Sequence, residues 1–400
     1  MLRKGAPAPL WLICTAAFLV VADGRVVTPL LPAIERDFGV TVGTAGLTAT
    51  SYLAAYALFQ LCYGPFGDRL GKVRVIRWTL FVFTVGTGLC AAMPDLTSLI
   101  VMRALTGVSA AAVIPMSLAY LGDTIAYERR QQAISLFLSS IVVAAALSQV
   151  LGGLLAQVAS WRVAFLVIAV VCAVPTLLFV RAGTDAPSPV GEKRSHLRRY
   201  LEVVRRGPVF FSITVLEGAL LWGASAYLAA VLVDERGSSY VVAGLLLGVM
   251  GIGSVATARI QGRRSGLGHE RRRFAGGAAV YGIGIVMVAV LGKIGGVWPL
   301  WFAIASILLG IGFTSAHSTL QTTATEIAPE ARATAVSLFS FAMNSGGAIG
   351  SAVAGVLVDG PGYATMWVTC AVLVGVLAVV GPFGLPRRQA AGTAPASDAV

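Results

Sequence analysis

Between two long apolar stretches the chain reads Gly64-Pro-Phe-Gly-Asp-Arg-Leu-Gly-Lys-Val-Arg74. Glycine is the residue that lets a chain turn sharply and lets two helices approach closely. Asp68 lies near the predicted start of the second helix, where a carboxylate accepts hydrogen bonds from free backbone N–H groups. We therefore predict a tight turn between two closely packed helices. Its glycines are Gly64, Gly67 and Gly71, and its basic side chains, predicted to face water, are Arg69, Lys72 and Arg74.

The stretches on either side of this turn are two of many that are long enough to cross a membrane. Of the 400 residues, 57% are hydrophobic and 12% are charged, whereas a soluble protein carries about 25% charged residues. Apolar runs near 20 residues cross a bilayer as helices, because each backbone group must find its partner within the segment. The sequence predicts twelve spans, at Leu10–Leu31, Ala45–Phe66, Val75–Met93, Leu96–Leu121, Ala133–Val158, Val163–Val180, Pro208–Val233, Val241–Ile260, Phe274–Leu291, Trp298–Thr323, Thr334–Val358 and Tyr363–Leu385.

Basic residues are distributed unequally between the two ends of these spans. If the N-terminus is cytoplasmic, 24 of the 30 Lys and Arg residues fall in or next to the cytoplasmic segments, 4 fall on the other side and 2, Arg25 and Arg103, lie well inside spans. Such a bias predicts a multi-pass protein with both termini in the cytoplasm. Contact with anionic lipid headgroups accounts for the net charge of +12, so no nucleic-acid partner is needed.

The longest polar stretch divides the twelve spans into six and six. It contains an amphipathic segment in which Leu197, Leu201 and Val204 share one face, which predicts a helix on the cytoplasmic membrane surface. We expect an all-α membrane protein with twelve transmembrane helices in two pseudo-symmetric six-helix bundles, present as a monomer. The predicted domains are residues 1–181 and 208–386 for the bundles, 182–207 for the linker and 387–400 for a cytoplasmic tail.

Weak internal similarity supports a duplication of one six-helix unit. At an offset of 203 residues Gly107 meets Gly310, and three further pairs match, namely Asp123 with Glu326, Arg129 with Arg332 and Gly152 with Gly355. At an offset of 198 residues Ala45-Gly-Leu meets Ala243-Gly-Leu. Two such bundles side by side enclose one cleft, which opens to alternate sides as they rock.

The glycine-rich turn at residues 64–74 resembles the loop 2–3 signature of the major facilitator superfamily. Three other stretches also resemble that family: Arg103-Ala-Leu-Thr-Gly107, Trp161-Arg-Val-Ala-Phe165 and Pro29-Leu-Leu-Pro32. The resemblance implies the fold described above, with Asp68 as a latch between span 2 and the opposite half. The overall pattern is most similar to drug/proton antiporters and sugar-efflux relatives. Ser148-Gln-Val-Leu-Gly-Gly153 retains only the final glycines of the antiporter motif in span 5.

Four charged residues lie well inside the spans, where a charge persists only if it serves a partner, water or substrate. Asp23 lies roughly 20 Å into span 1 from one face and Arg103 roughly 10 Å into span 4 from the other. These depths allow an ion pair, and we predict that Asp23 exchanges Arg103 for a proton; a permanent structural pair is the alternative. Arg25 is expected to extend towards the membrane interface, with anion binding as the second role.

Glu217 lies near the middle of span 7 without a basic neighbour on its own helix. It is predicted to take up a proton or to hold a cationic substrate; the alternative is a neutral carboxylic acid hydrogen-bonded within its bundle. The partner left open for it is a proton, a substrate or His317. The predicted substrate cavity comprises Arg25, Tyr52, Tyr56, Gln149, Trp222, His317, Gln321 and Asn344.

These residues predict a proton-coupled exporter of small amphipathic molecules in the bacterial cytoplasmic (inner) membrane. The alternatives are uptake or facilitated diffusion of a polar metabolite or sugar, and a receptor-like membrane protein that does not transport. The expected partners are a small-molecule substrate, protons and membrane lipid. The sequence gives no indication of an enzyme, a cofactor or a metal site, because no cluster of His, Asp or Cys and no nucleotide-binding loop is recognisable.

Overall fold

Twelve helical segments, α1 to α12, account for almost all of the computed structural model, which describes residues 8–182, 196–263, 270–328 and 331–385. No strand occurs among the described residues. The segments run, in order, over Leu10–Phe38, Val42–Leu70, Lys72–Cys90, Leu96–Thr124, Tyr127–Val158, Trp161–Arg181, Pro208–Arg236, Tyr240–Gln261, Glu270–Ala289, Trp298–Ile327, Arg332–Asp359 and Tyr363–Gly384. We call α1–α6 the first half and α7–α12 the second half.

The twelve predicted spans correspond one to one with these segments, and most helices extend beyond the predicted ends. Eleven of the segments in the described part of the chain are long and apolar enough to cross a membrane. The remaining one, α2, is 29 residues long. Helix α1 continues through Glu35, Arg36 and Asp37 to Phe38 because a helix persists where polar side chains reach water.

Three of the segments are interrupted. Helix α4 consists of Leu96–Ala110 and Val113–Thr124, and α8 is interrupted near Val249. Helix α7 changes from α-helix to a π-helical stretch at Gly218–Gly223 and then to a 3₁₀ turn at Ala224–Tyr227. Stretches of this kind inside a helix often mark functional sites.

The two halves repeat the same close helix contacts. A side chain at Gly107 would collide with the backbone of Tyr52, and one at Gly310 would collide with the backbone of Met250. Gly107 and Gly310 are 203 residues apart, and Tyr52 and Met250 are 198 residues apart, which are the two offsets found in the sequence.

The contact between the third and fourth helices of each half follows the same rule. A Cβ atom on Gly86 would lie 2.8 Å from Thr106, and one on Gly284 would lie 2.9 Å from Leu309. Gly86 and Gly284 differ by 198 residues, and Thr106 and Leu309 by 203. The weak sequence matches therefore coincide with equivalent packing positions, whereas the exact domain boundaries stay a prediction.

The halves contact each other at the face where α1 ends, which we call the distal face; α1 begins at the N-terminal face. The Asp359 carboxylate, at the end of α11, accepts hydrogen bonds from the Gly43 N–H at 2.8 Å and the Thr41 hydroxyl at 2.5 Å. Asp359 thus caps the start of α2 from the opposite half. Arg36 on α1 also donates to the Tyr240 hydroxyl of α8 at 3.0 Å.

The linker contains the predicted helix, at His196–Arg206. Among its described side chains Val203, which lies off the predicted apolar face, is buried, while Leu201 is about half exposed. The Tyr200 hydroxyl donates to the Leu61 carbonyl of α2 at 3.2 Å. That carbonyl has no N–H partner four residues later, because Pro65 has none to give. The rest of the linker and the tail at 387–400 lie outside the described residues.

Candidate functional site

The first buried pair joins α1 to α4. Arg103 Nη1 donates to Asp23 Oδ2 at 2.6 Å, and both side chains have zero exposure. Thr87 Oγ1 on α3 lies 3.5 Å from Asp23 Oδ1. The structure therefore brings together the two residues whose depths matched in the sequence; their part in proton coupling stays a prediction.

Aromatic rings enclose this pair. The guanidinium carbon of Arg103 lies 4.3 Å from the ring centroid of Tyr52 and 5.3 Å from that of Phe165. Arg103 Nε is buried and has no hydrogen-bond partner among the described residues. In this conformation the pair is sealed from water, so a proton has no direct route to Asp23.

The second buried pair joins α7 to α10. His317 Nδ1 lies 3.1 Å from Glu217 Oε1. The Glu217 side chain is 1% exposed and the His317 side chain is 20% exposed. Glu217 Oε2 is buried without a partner in the described part of the chain. Thus His317 connects a buried carboxyl to solvent-accessible space, and it supplies the partner that the sequence left open.

The position of Glu217 follows from close packing between α7 and α11. Glu217 is the last residue before the π-helical stretch of α7. Next to it, a side chain at Gly218 would collide with the backbone of Met343, and a side chain at Gly346 would collide with that of Val215. The two backbones meet here, so glycine is required on both helices and the carboxyl of Glu217 is fixed at this contact.

A row of rings connects this second pair to the first half. The guanidinium carbon of Arg25 lies 3.1 Å from the ring centroid of Trp222. Trp222 is 5.6 Å from Phe313, and Phe313 is stacked on His317 at 5.1 Å with an interplanar angle of 7°. Phe339 lies 5.4 Å from His317 on another side. We call Trp222, Phe313 and His317 the ring row.

The prediction that Arg25 extends towards the membrane interface is wrong. Its guanidinium turns inward, across the boundary between the halves, and lies flat on Trp222. A tryptophan face attracts a cation electrostatically, and this attraction is stronger away from water. Arg25 therefore stacks on Trp222 inside the protein and does not extend along the six residues of helix that separate it from the predicted outer end of span 1.

The other predicted cavity residues lie in different surroundings. Tyr52 and Tyr56 are buried, with ring centroids 6.1 Å apart, and Tyr52 lines the first pair. Asn344 on α11 donates to Gln60 Oε1 on α2 at 3.3 Å, which links the halves. Gln149 has a buried side-chain oxygen without a partner among the described residues. Gln321 is exposed on α10, one turn beyond His317.

Several residues that build the site were missed in the sequence. Phe313 and Phe339 contact His317, and Thr87 contacts Asp23. Phe313 lies four residues before His317, the spacing at which side chains on one helix touch, so its position was a usable signal. Phe339 and Thr87 come from other helices and carried no such signal.

The turn between α2 and α3 is tighter than predicted. Helix α2 continues to Leu70, and Gly71 alone makes the turn, with φ of +89°. Lys72 is not water-facing as predicted: it is buried and forms an ion pair with Asp123 of α4 at 2.6 Å. Burial is possible because the ion pair compensates for the loss of hydration of the ammonium group.

The remaining residues of the predicted latch are described less completely. Arg69 is exposed, and a side chain at Gly67 would collide with Met116 of α4. The surroundings of Gly64 and the side chain of Asp68 are not among the described parts of the chain, so the contact of Asp68 with the opposite half stays a prediction. Within the part of the chain that the structure describes, no three metal-ligating side chains converge.

Residues 13–336 and 265–399 match the sequence profile of the Major Facilitator Superfamily. The chain therefore belongs to this family of multi-pass membrane transporters for small molecules, and the family is not one of enzymes. The family assignment confirms the resemblance seen in the glycine-rich turn.

Relatives of known name include transporters and export proteins. The chain is 26% identical over 357 residues to the MFS-type transporter YceJ of Bacillus subtilis, covering 87% of this chain and 88% of YceJ. It is 34% identical over 163 residues to the cephamycin export protein CmcT of Amycolatopsis lactamdurans, covering 40% of this chain and 34% of CmcT.

A solved structure confirms the fold. The nucleoside transporter NupG, solved as a point mutant, superimposes with a TM-score of 0.74 at 15% identity, covering 94% of this chain and 100% of NupG.

Proposed function

We propose that the chain is a proton-coupled secondary transporter that exports small amphipathic molecules by alternating access. The contact between His317 and Glu217 carries this proposal. It pairs a buried carboxyl with a partly exposed imidazole, and imidazole is the side chain that gains and loses protons near neutral pH. A buried ionisable residue inside a membrane span is by default a functional site.

The ring row gives the proton a means to influence the other half. It continues from His317 through Phe313 to Trp222, which holds Arg25 of the first half. When Glu217 changes its protonation state, its contact with His317 changes, and with it the stacking on which Arg25 rests. A ligand or proton shifts a conformational equilibrium only through such a difference in contacts between two states.

The sealed pair of Asp23 and Arg103 has a second role in this proposal. It is closed to water in the conformation described above, so we assign proton entry in this conformation to Glu217. Asp23 takes up its proton only in a conformation that separates it from Arg103. The substrate and the proton are then bound in different conformations of the protein.

Alternating access is supported by the polar contacts at the distal face. The cap that Asp359 places on α2 and the hydrogen bond from Arg36 to Tyr240 hold the halves together at that face. A cleft opens to that side only when these contacts separate. On the N-terminal face the turn between α2 and α3 is held to α4 of its own half by Lys72 and Asp123, and we propose that this stiffened corner carries the predicted latch.

Export is favoured by the relatives, among which CmcT is named for cephamycin export and a protein of Claviceps purpurea for thioclapurine efflux. The predominance of basic residues on the N-terminal side supports an orientation with both termini in the cytoplasm, and we place the protein in a bacterial inner membrane.

Reconstitution in proteoliposomes with an imposed pH gradient tests the proposal. A panel of amphipathic compounds is supplied, and both compound flux and proton flux are followed. We expect a compound to move against its gradient while protons move in the opposite direction, and we expect Glu217→Gln to uncouple the two fluxes. Movement of a compound in the same direction as protons would indicate uptake instead, and transport indifferent to the pH gradient would rule out proton coupling.

A further inference from the structure

Arg25 has no counterion in the part of the chain that the structure describes. No hydrogen bond or ion pair of its side chain occurs among the described residues, and its Nε atom is buried without a partner. Its guanidinium stacks on Trp222, which occupies the flat face of the group and leaves the N–H edge free. Arg25 as a whole is partly exposed, so its terminal N–H groups are available to a ligand that enters from solvent, while the buried Nε has no partner.

Gln149 provides a second free polar group at the same depth. Helices α1 and α5 run in the same direction, and two contacts fix their register. The Ser140 hydroxyl oxygen lies 3.4 Å from the Cys14 carbonyl oxygen, 126 residues away, and a Cβ atom on Gly152 would lie 2.8 Å from both Val26 and Pro29, 126 and 123 residues away. Subtracting these offsets from 149 gives 23 and 26, so Gln149 is level with the stretch of α1 that contains Arg25.

The side-chain oxygen of Gln149 is buried and has no partner in the described part of the chain. At one level of the first half there are thus a free cationic donor and a free neutral acceptor. The ring row lies against Arg25 from the second half, and Trp222 and Phe313 are both partly exposed. A flat apolar surface therefore adjoins the two free polar groups.

We propose that Arg25 and Gln149 bind the polar end of an organic anion whose planar apolar part lies against the ring row. The carboxylate or sulfonate of such a ligand accepts hydrogen bonds from the free edge of Arg25, the contact that guanidinium makes best. A neighbouring N–H or O–H of the ligand donates to Gln149. This inference rests on the proposed transport function and specifies its substrate class.

Binding to purified protein in detergent tests the inference with two matched probes of opposite charge. Radiolabelled 1-naphthaleneacetate supplies the anion, and 1-naphthylmethylammonium supplies the cation on the same ring system. We expect the wild-type protein to bind the anion at least about tenfold more tightly than the cation, because a charge-assisted hydrogen bond favours one sign of charge. Preference for the cation, equal binding or binding of neither probe overturns the inference.

Substitutions then locate the site. Arg25→Gln is expected to lower the affinity for the anion by about tenfold or more, and Arg25→Lys to restore only part of it, because Lys lacks the planar two-point edge. Arg181→Gln, which removes an exposed arginine at the end of α6, is the matched control and is expected to change nothing. Unchanged anion binding in Arg25→Gln contradicts the proposal.

Gln149→Leu serves as a second variant should Arg25→Gln fail to fold. It is expected to weaken binding of 1-naphthylglycolate, whose hydroxyl adjoins the carboxylate, several-fold, and to change binding of 1-naphthaleneacetate, which lacks that donor, little. Substrate class and proton coupling fail separately in these experiments. Anion binding that depends on Arg25, together with transport indifferent to a pH gradient, would keep this inference and reject the proposed coupling. Transport of the cation alone, driven by the pH gradient, would reject this inference and keep the proposed coupling.

Discussion

The two buried charge pairs differ in both access and position. Asp23 and Arg103 have zero exposure, whereas His317 opens the pair with Glu217 to solvent. Although the halves are related by an offset of 203 residues in this region, the pairs are not copies of each other. Adding 203 to 103 gives Ser306, and subtracting 203 from 317 gives Ile114. The same fold therefore carries one ionisable pair that is enclosed and another that water can reach.

Because the two pairs differ in their access to water, they suit two different tasks, setting the conformation and exchanging protons. Breaking an enclosed ion pair is costly because it leaves one charge uncompensated, and protons exchange with such a pair slowly because water does not reach it. A pair with one partly exposed member exchanges protons more readily, because water reaches that member. We infer that the first pair mainly sets the conformation and that the second pair mainly senses protons.

The largest expected effect comes from breaking the pair of Asp23 and Arg103, which we call the enclosed pair. Arg103→Met leaves the Asp23 carboxylate buried and uncompensated, and removing one partner of a buried pair costs about 3–5 kcal/mol. We expect a large drop in the thermal unfolding temperature of the purified protein, with partial recovery at acidic pH as Asp23 takes up a proton. Loss no greater than that caused by Glu217→Gln would remove the distinction between the two pairs.

A double variant provides the control for this prediction. Asp23→Asn combined with Arg103→Gln replaces both ions with neutral amides, of which Asn matches Asp in size and Gln is shorter than Arg. Stability is expected to return most of the way to that of the wild-type protein, because no charge is left unpaired. Proton-driven transport is expected to remain lost; if it returns, the enclosed pair is only structural.

The fold was predictable from the sequence to within a few residues at most helix ends. A segment that crosses lipid must satisfy its backbone hydrogen bonds internally as a helix, so the length of each apolar run indicates the length of the helix. The pair of Asp23 and Arg103 was predictable from depth alone. The direction of Arg25 was not, because it depends on Trp222, which lies in the opposite half. Lys72 was mispredicted because its partner Asp123, although in the same half, lies on another helix 51 residues further along the chain.

The second-largest effect is expected at the pair of Glu217 and His317, which we call the open pair because water reaches His317. Glu217→Gln retains the shape and one hydrogen bond to His317 but can no longer take up a proton. We expect transport in proteoliposomes to lose its dependence on pH, with a smaller loss of stability than Arg103→Met causes, because the amide keeps a hydrogen bond to His317 and leaves no charge unpaired. Glu202→Gln on the linker helix, where the carboxylate is exposed, is the matched control and should keep the wild-type pH profile. An unaltered profile in Glu217→Gln would place proton entry elsewhere.

The smallest effect is expected at the ring row, and it tests whether the open pair depends on its surroundings. Phe313→Leu removes the ring contacts to Trp222 and His317, and aromatic pairs contribute about 0.5–1.5 kcal/mol each beyond their burial. We expect a small decrease in unfolding temperature and a flatter pH profile, since His317 then loses its stacked partner and rotates more freely. Phe383→Leu, at a ring that is 74% exposed, is expected to change neither property. A destabilisation as large as that of Arg103→Met would mean that the ring row, like the enclosed pair, mainly holds the helices together.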